Sequence, residues 1–291
     1  MAAASTSKSA GSGSAPAALR GKTIALVGAG NMGQALISGL RAHGVPAAQL
    51  RVVESNGQTA AQIRRRYGVA QATLEEAAAG VDVLVLAVKP HDMAPVLDTV
   101  RRAIPARARK LLVISVAAGL QVEALQRVLG PCPLVRAMPN LPAKVGCGVS
   151  VLTAGRSATA AHRKLAQAIF ECVGQTAELP ERLFDAVTAV SGSGPAYVFV
   201  FLKALRDAGA RLGLPAEVAQ QLALQTVVGS ARLVDSVQLP LEALINQVAS
   251  KHGTTEAALQ VLVDARFQWI IESAVSAAAR RSRELSATIS T

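Results

Sequence analysis

The sequence is poor in aromatic residues and cysteine, and it has no long apolar run. Aromatic residues occupy only 3% of the 291 positions, so the core must be built from Ala, Val and Leu. The three cysteines form no Cys-x-x-Cys pair, which argues against a disulfide framework or a zinc site and favours a reducing, cytoplasmic location. No stretch approaches eighteen uninterrupted apolar residues, so the sequence predicts a soluble protein with no membrane partner.

The first twenty residues contain no carboxylate and lack the continuous apolar segment of a secretory signal. They are rich in Ala, Ser and Gly, and only Lys8 and Arg20 are basic, which disfavours an organelle transit peptide. The sequence therefore predicts a disordered tail over residues 1–20. The remaining chain is long enough for two domains, predicted at 21–180 and 181–291.

Acidic residues are outnumbered, and the formal net charge is +11. Such a field attracts polyanions, which raises the question of nucleic acid. The basic residues nevertheless occur in short groups with no aromatic residues between them and no recognisable binding motif. We interpret them as solvated helix faces and expect no nucleic-acid partner.

A glycine-rich turn lies between an apolar strand and a helix near the start of the chain. It reads Gly28-Ala-Gly30-Asn31-Met32-Gly33. The first glycine permits a tight turn, the second lets the backbone approach a pyrophosphate, and the third allows close packing of helix on strand. The helix N-terminus offers free N–H groups to phosphate. The sequence therefore predicts a dinucleotide site, the alternative being a strand-to-helix turn without a ligand.

Short Val, Leu and Ile runs alternate with helical patterns up to about residue 179. This alternation predicts a doubly wound, parallel, Rossmann-like α/β sheet with ligands at the carboxyl ends of its strands. The predicted strands are 23–27, 50–53, 81–88, 111–116, 134–137 and 149–152, and the predicted helices are 34–42, 58–67, 73–79, 93–103, 122–129 and 159–172.

Beyond residue 179 the strand signals stop and only helical patterns remain. Pro195 and Pro240 are placed where helices begin, with a Gly-Leu-Pro break at 213–215 between them. Two more helices are predicted at 253–262 and 265–285. In the last of these, apolar residues make one broad face: Trp269, Ile270, Ile271, Ala274 and Val275. We predict an all-helical second domain that packs against another copy of the chain.

Two predicted strands end in small residues that leave room for a nicotinamide ring and its ribose. These cofactor-binding candidates are Val88, Lys89 and Pro90 after one strand, and Ala117, Ala118 and Gly119 after the next. Asn140 follows a third strand and could hydrogen-bond in a cleft. Lys89 could instead be a solvated strand-end lysine, and Asn140 a turn residue before Pro142.

Two further segments rich in glycine and hydroxyl residues precede predicted helices. The segment 191–197 is interpreted as a flexible interdomain connection with an N-cap serine, in preference to an anion site. The segment 248–255 also places small hydroxyl residues and a glycine ahead of a helix. Its backbone N–H groups could hold a carboxylate.

Taken in order, these motifs resemble those of the pyrroline-5-carboxylate reductase family. The matching runs are Val27 to Gly33, Ala87-Val-Lys-Pro90, Ser115-Val-Ala-Ala-Gly119, Arg136-Ala-Met-Pro-Asn140 and Val190 to Tyr197. The resemblance implies reduction of the cyclic imine pyrroline-5-carboxylate to L-proline with NADPH or NADH, the last step of proline biosynthesis. It also implies a homodimer or higher homo-oligomer held by the C-terminal helices.

The resemblance also assigns a substrate loop. Ser250 and the backbone at Gly253 and Thr254 would bind the substrate carboxylate, and the Thr255 hydroxyl would hydrogen-bond the ring nitrogen. Lys251 and His252 depart from the family's usual proline and glycine, and further upstream Ile245-Asn246 and the stretch before Pro240 also depart. His252 is either a proton donor or carboxylate partner, or a loop residue facing solvent.

Cofactor choice depends on the end of the second predicted strand. Glu54 lies where an acidic residue normally binds the ribose 2′-hydroxyl and repels a 2′-phosphate, which favours NAD. Ser55 and Asn56 could instead donate to a phosphate, so NADP stays open.

Three other functions remain possible at this level. A reductase of a different cyclic imine would explain the altered loop. A β-hydroxyacid dehydrogenase shares the glycine turn, but Val198 stands where that family needs a catalytic lysine. A non-catalytic dinucleotide-binding protein is the third, because fold does not fix function.

Overall fold

The computed structural model describes residues 14–104 and 111–289, with side chains through 287. Most of the predicted tail lies outside these residues, but residues 14–20 are described and are ordered against the core. Ala17–Leu19 form a 3₁₀ turn, and Leu19 is completely buried in the core. The prediction of disorder up to residue 20 is therefore wrong for the described part, because an apolar side chain in this Ala-rich stretch finds a place in the core.

An eight-stranded sheet forms the centre of the first part of the chain. The strands are β1 Ile24–Val27, β2 Leu50–Val53, β3 Ala70–Gln71, β4 Val83–Leu86, β5 Leu112–Ser115, β6 Leu134–Met138, β7 Gly148–Ala154 and β8 Gly174–Glu178. Their spatial order is β3-β2-β1-β4-β5-β6-β7-β8, which places β1 at the point where the chain reverses its direction across the sheet.

The predicted parallel sheet is correct for β1 to β6, whereas β7 runs antiparallel to β6 and β8 pairs parallel with β7. The physical reason is the short connection between β6 and β7, a 3₁₀ turn at Leu141–Val145, which cannot make the crossover that a parallel pair needs. Strands β3 and β8 were not predicted. The first has only two residues, and the second carries a polar, largely exposed sequence without an apolar run.

Seven helices accompany the sheet in the described part. They are α1 Asn31–Ala42, α2 Gly57–Tyr67, α3 Leu74–Gly80, α4 Met93–Ala103, α5 Val122–Leu129, α6 Ala160–Glu171 and α7 Phe184–Val187. Helix α1 begins earlier than predicted, because Gly30 itself is its N-cap. Buried residues form a cluster on each side of the central strands, as a doubly wound sheet requires.

Five more helices follow in the described part of the chain. They are α8 Gly194–Arg211, α9 Ala216–Ser236, α10 Leu241–Val248, α11 Thr254–Asp264 and α12 Phe267–Ile289. The chain divides into two compact units, one running through Gly192 and resuming at Ala278, the other comprising Ser193–Ala277. The sequence prediction divided the domains at 180/181.

The second unit has almost no core of its own. Among residues 193–277, all of which the structure describes, only Ala219 and Ala223 are buried. Large apolar side chains face solvent, and Trp269, Ile270 and Ile271 of the predicted apolar face are among them.

The helical run Glu181–Arg211 is long and apolar enough to cross a membrane by length and composition, a test that core helices of soluble proteins also pass.

Segment 191–197 connects the two units, as predicted, since the boundary between them lies between Gly192 and Ser193, but the predicted N-cap serine is wrong. Residues Thr188–Gly192 form a turn of π-helix, and Ser193 has helical backbone angles and makes no side-chain cap. Ser191 Oγ donates instead to the Val187 carbonyl, at 2.9 Å. The helical path therefore continues into α8, and the Ser191 side chain bonds backward along it.

Candidate active site

Gly28 lies in the turn after β1 and is required by the protein's own packing. Its φ is +94°, and a Cβ there would lie 2.9 Å from the Ala87 carbonyl oxygen and 3.0 Å from Val88 Cγ1. Its N–H also donates to the Val53 carbonyl at 2.8 Å. The turn is thus fixed between the carboxyl ends of β2 and β4, and Val88 lies beside it.

Gly30 is different, because nothing in the protein requires a glycine there. Its φ is −69°, and a Cβ would meet no atom within 4 Å. The first hydrogen bond of α1 runs from the Gln34 N–H to the Gly30 carbonyl. The N–H groups of Asn31, Met32 and Gly33 therefore have no hydrogen-bond partner in the described chain.

The open space beside Gly30, together with the unpaired N–H groups of α1, fits a dinucleotide pyrophosphate. An α-helix N-terminus with free N–H groups binds phosphate, and a glycine whose missing Cβ is explained by no neighbour suits close approach of a ligand. Gly33 serves packing instead, since a Cβ there would overlap the Gly28 carbonyl oxygen. Gly28 and Gly33 thus have the turn and packing roles predicted from the sequence, and the approach of a pyrophosphate to Gly30 stays a prediction.

The Glu54 side chain folds back over the turn. Its Oε2 accepts a hydrogen bond from the Ala29 N–H at 2.8 Å, and its Oε1 accepts one from the Asn56 N–H at 2.9 Å. Asn56 Oδ1 in turn caps α2 by accepting from the Thr59 N–H at 3.0 Å. Ser55 is exposed beside them. The carboxylate is therefore fixed at the end of β2 by two backbone donors.

The ends of β4 and β5 lie next to each other at the same edge of the sheet. The Val116 N–H donates to the Leu86 carbonyl at 3.1 Å, and the Ala117 N–H contacts the buried Ser115 Oγ at 3.4 Å. Gly119 has a φ of +79°, which explains the glycine. The remaining candidates here differ in exposure: Lys89 and Ala118 are exposed, and Pro90 is partly buried.

The Asn140 side chain makes hydrogen bonds to two backbone groups of the protein itself. Its Oδ1 accepts from the Val149 N–H at 2.9 Å, and its Nδ2 donates to the Ser191 carbonyl at 3.2 Å. These bonds hold the end of β6 to β7 and to the π-helical turn. A cofactor contact, which stays a prediction, would use the remaining Nδ2 hydrogen.

The buried Arg136 forms an ion pair with the partly buried Glu181, and sequence reasoning did not single out this pair. Arg136 Nη1 donates to Glu181 Oε1 at 2.8 Å, and the guanidinium carbon lies 4.7 Å from the centroid of the Phe184 ring. The Val122 N–H donates to the same Glu181 oxygen at 2.8 Å. The sequence contains one indication of this pair, which is a charged residue in the middle of the otherwise apolar strand 134–138. The pair fixes the start of α5, which follows the Ala117–Gly119 candidates.

In the second unit, the loop before α11 is tightly folded. The Gly253 N–H donates to the Ser250 carbonyl at 3.0 Å, and a Cβ on Gly253 would overlap Ser250 Oγ. His252 has a φ of 59°, a left-handed conformation that favours glycine. Its N–H donates to Glu256 Oε2 at 2.5 Å, so Glu256 holds the loop from the first turn of α11.

The predicted substrate-binding groups of this loop are only partly available. The Gly253 N–H already has its internal partner, whereas in the described chain the Thr254 and Thr255 N–H groups have none. The hydroxyls of Ser250, Thr254 and Thr255 likewise make no hydrogen bond within the described residues. The loop can therefore offer hydroxyls and helix N–H groups to a small carboxylate.

Comparison with known proteins gives one consistent result. Residues 181–285 match the family described as pyrroline-5-carboxylate reductase dimerisation, and residues 23–119 match the NADP oxidoreductase, coenzyme F420-dependent family. A pyrroline-5-carboxylate reductase of Pseudomonas aeruginosa is 42% identical over 265 residues, covering 90% of this chain and 96% of its own.

Solved structures agree with the sequence matches. The pyrroline-5-carboxylate reductase of Coxiella burnetii superposes with a TM-score of 0.86 at 33% identity, covering 91% of this chain and 98% of that one. The pyrroline carboxylate reductase of Plasmodium falciparum, solved with NADP bound, has a TM-score of 0.82 at 29% identity over 91% of this chain and 98% of its own. At 91% of this chain, both of these structural comparisons extend across both compact units.

Proposed function

The chain belongs to the pyrroline-5-carboxylate reductase family, and from that premise we propose how its residues reduce 1-pyrroline-5-carboxylate to L-proline with NAD(P)H. The single observation that carries the assignment is the identity of 42% to a curated reductase over nearly the whole chain. The residue roles below rest on the local geometry of each unit.

The first unit binds the dinucleotide. The free N–H groups of Asn31, Met32 and Gly33 hold the pyrophosphate at the N-terminus of α1. Val88 and Ala117 form apolar walls at the ends of β4 and β5, with Lys89, Pro90, Ala118, Gly119 and Asn140 around them. When bound, the reduced nicotinamide supplies the hydride.

The loop of the second unit binds the imine. The Thr254 N–H and the Ser250 hydroxyl hold the substrate carboxylate, which fixes the ring in one orientation. The Thr255 hydroxyl accepts a hydrogen bond from the protonated ring nitrogen. The proton therefore stays on nitrogen while the new C–H bond forms at the imine carbon, and no separate acid–base pair is needed. His252 supports this loop through its backbone.

The activity test uses purified protein with NADPH or NADH and pyrroline-5-carboxylate, with absorbance reporting cofactor oxidation and proline measured directly. We expect oxidation only when both substrates are present. Thr255→Val should lower kcat/KM by about tenfold or more, because the hydrogen bond that orients the protonated imine is lost. Thr254→Val, which keeps its backbone N–H, is the matched control and should retain turnover. Cofactor binding without proline formation would contradict the proposal.

A reductase of a different cyclic imine is the second candidate. The observation that favours it is the left-handed His252, flanked by Lys251, in a loop whose backbone binds the substrate. The six-membered ring homologue of the substrate, assayed side by side, separates the two. A higher kcat/KM for the larger ring would favour this second function.

We also propose that the second unit forms a homodimer through its helices, which could build larger rings. Its near lack of buried residues and its exposed Trp269, Ile270 and Ile271 support a partner of the same chain. A reducing, cytoplasmic location is proposed because all three cysteines are free. Light scattering of the purified protein tests the oligomer, and a stable monomer would contradict it.

A further inference from the structure

Lys144 lies close to the free N-terminus of α1, although it is far away in sequence. Its Nζ is 3.3 Å from Asn31 Oδ1, and Asn31 is the first residue of α1. This lysine belongs to none of the segments from which the cofactor site was predicted. The structure thus adds a cation beside the N-terminus of α1, whose first N–H groups have no partner in the described chain.

The 3₁₀ turn that carries Lys144 is held firmly. It packs against α1, and its Ala143 is buried. The Asn140 side chain, just before the turn, bonds to Val149 and Ser191, and a Cβ on Gly148, just after it, would lie 2.9 Å from Ala143. The backbone that presents Lys144 therefore has little freedom to move away from α1.

The charge of Lys144 is not neutralised within the protein. Among the described side chains, the partner of its Nζ is the neutral amide oxygen of Asn31, and the first turn of α1 contains no acidic residue. A 3.3 Å contact to an amide is weaker than a charge-assisted bond to a phosphate oxygen. The ammonium can therefore exchange Asn31 for an anion by rotation of its own side chain.

We propose that Lys144 is a further dinucleotide-binding residue, whose ammonium binds the pyrophosphate together with the N–H groups of α1. This inference rests on the proposed function, because it takes the α1 N-terminus as the phosphate site. The pyrophosphate is common to NADH, NADPH and ADP-ribose. Lys144 therefore raises the affinity for all three and leaves the choice between NADH and NADPH unchanged.

The test measures binding directly, by isothermal titration calorimetry of NADH, NADPH and ADP-ribose with the full-length protein. Lys144→Gln should weaken all three by about five- to tenfold, as expected for loss of one charge-assisted bond. Binding by the variant should also depend less on salt when compared at about 50 mM and about 300 mM NaCl. Lys144→Arg should retain most of the affinity.

The matched control is Lys164→Gln, which removes one exposed lysine from α6 and should bind all three ligands as the unmodified protein does. Unchanged affinity in Lys144→Gln would overturn the inference. Weakened binding of NADPH alone would also overturn it, since it would place Lys144 at the 2′-phosphate. If the unmodified protein binds no dinucleotide and forms no proline, the proposed function fails instead, and the two failures are distinguishable.

Discussion

The Glu54 carboxylate accepts a hydrogen bond from the Ala29 N–H at 2.8 Å, and this contact joins the end of β2 to the glycine turn. The sequence predicts that this carboxylate lies at the 2′ position of the adenosine ribose of a bound dinucleotide. In that position the side chain that stabilises the turn would also set a negative charge against a 2′-phosphate.

Glu54→Gln should shift cofactor preference toward NADPH. A charge near a 2′-phosphate in a partly solvated site costs a few kcal/mol at most, so the ratio of kcat/KM for NADPH over NADH should rise about tenfold. Steady-state kinetics with both cofactors measure it. Glu75→Gln, on the exposed side of α3, is the charge-matched control and should leave the ratio unchanged. If Glu54→Gln leaves the NADPH-to-NADH ratio of kcat/KM unchanged, this carboxylate does not contact the 2′ position of the adenosine ribose.

Gly30→Ala and Gly28→Ala should have opposite effects on folding and binding. An added Cβ at Gly30 meets no protein atom, so the thermal unfolding temperature should be kept while dinucleotide affinity falls at least about tenfold. At Gly28 the Cβ meets the Ala87 carbonyl and the φ is +94°, so unfolding free energy should fall by about 2 kcal/mol or more. Scanning calorimetry measures the unfolding of both variants, and cofactor titration measures their dinucleotide affinity. Normal affinity in Gly30→Ala would contradict a pyrophosphate at this position.

His252→Gly should stabilise the loop and leave catalysis intact. Relief of a left-handed non-glycine conformation is worth about 1 kcal/mol, and the imidazole is 83% exposed. We therefore expect a slightly higher unfolding temperature, with kcat and its pH profile unchanged. Loss of one limb of the pH profile in the variant would identify His252 as a proton donor.

Glu181→Ala should strongly destabilise the first unit. It leaves the Arg136 guanidinium buried without its carboxylate and frees the Val122 N–H, a change that costs about 3 kcal/mol. Urea unfolding measures the loss. The double variant Arg136→Met with Glu181→Leu removes both charges and should recover much of the stability. A cost below about 1 kcal/mol for Glu181→Ala would show that the pair is largely solvated.

Asp82→Asn should destabilise the protein at neutral pH but not in acid. Partial burial raises the pKa of the Asp82 carboxyl, but hydrogen bonds from the Thr23 N–H and hydroxyl and from Lys22 outweigh it, so the pKa lies below the ordinary 3.8. A carboxylate with a lowered pKa stabilises the fold above its unfolded value, and this contribution is lost as pH falls through the folded value. The difference in unfolding temperature from the unmodified protein should therefore persist above about pH 5 and vanish in stronger acid. A difference that grows on acidification would contradict the assignment.

Much of the first unit could be predicted because its signals are local. The run 24–40 contains its own strand, turn and helix start, and the period of the apolar residues indicates which elements are buried. Strand β7 was predicted at 149–152, but its antiparallel direction was not, because strand direction depends on how far the connecting chain can reach. Strand β8 was not predicted because its residues have no typical strand composition, and it is a strand only through its pairing with β7.

The sequence by itself determined the alternating strands and helices, the glycine turn and the chemical character of the loop before α11, because each depends on neighbouring residues and on backbone preferences. Only the tertiary structure decided which glycine faces open space, that Glu54 turns back to Ala29, that Asn140 is committed to Val149 and Ser191, and that Lys144 meets Asn31. These relationships join residues distant in sequence, and a contact of that kind exists only once the sheet has brought its strand ends together.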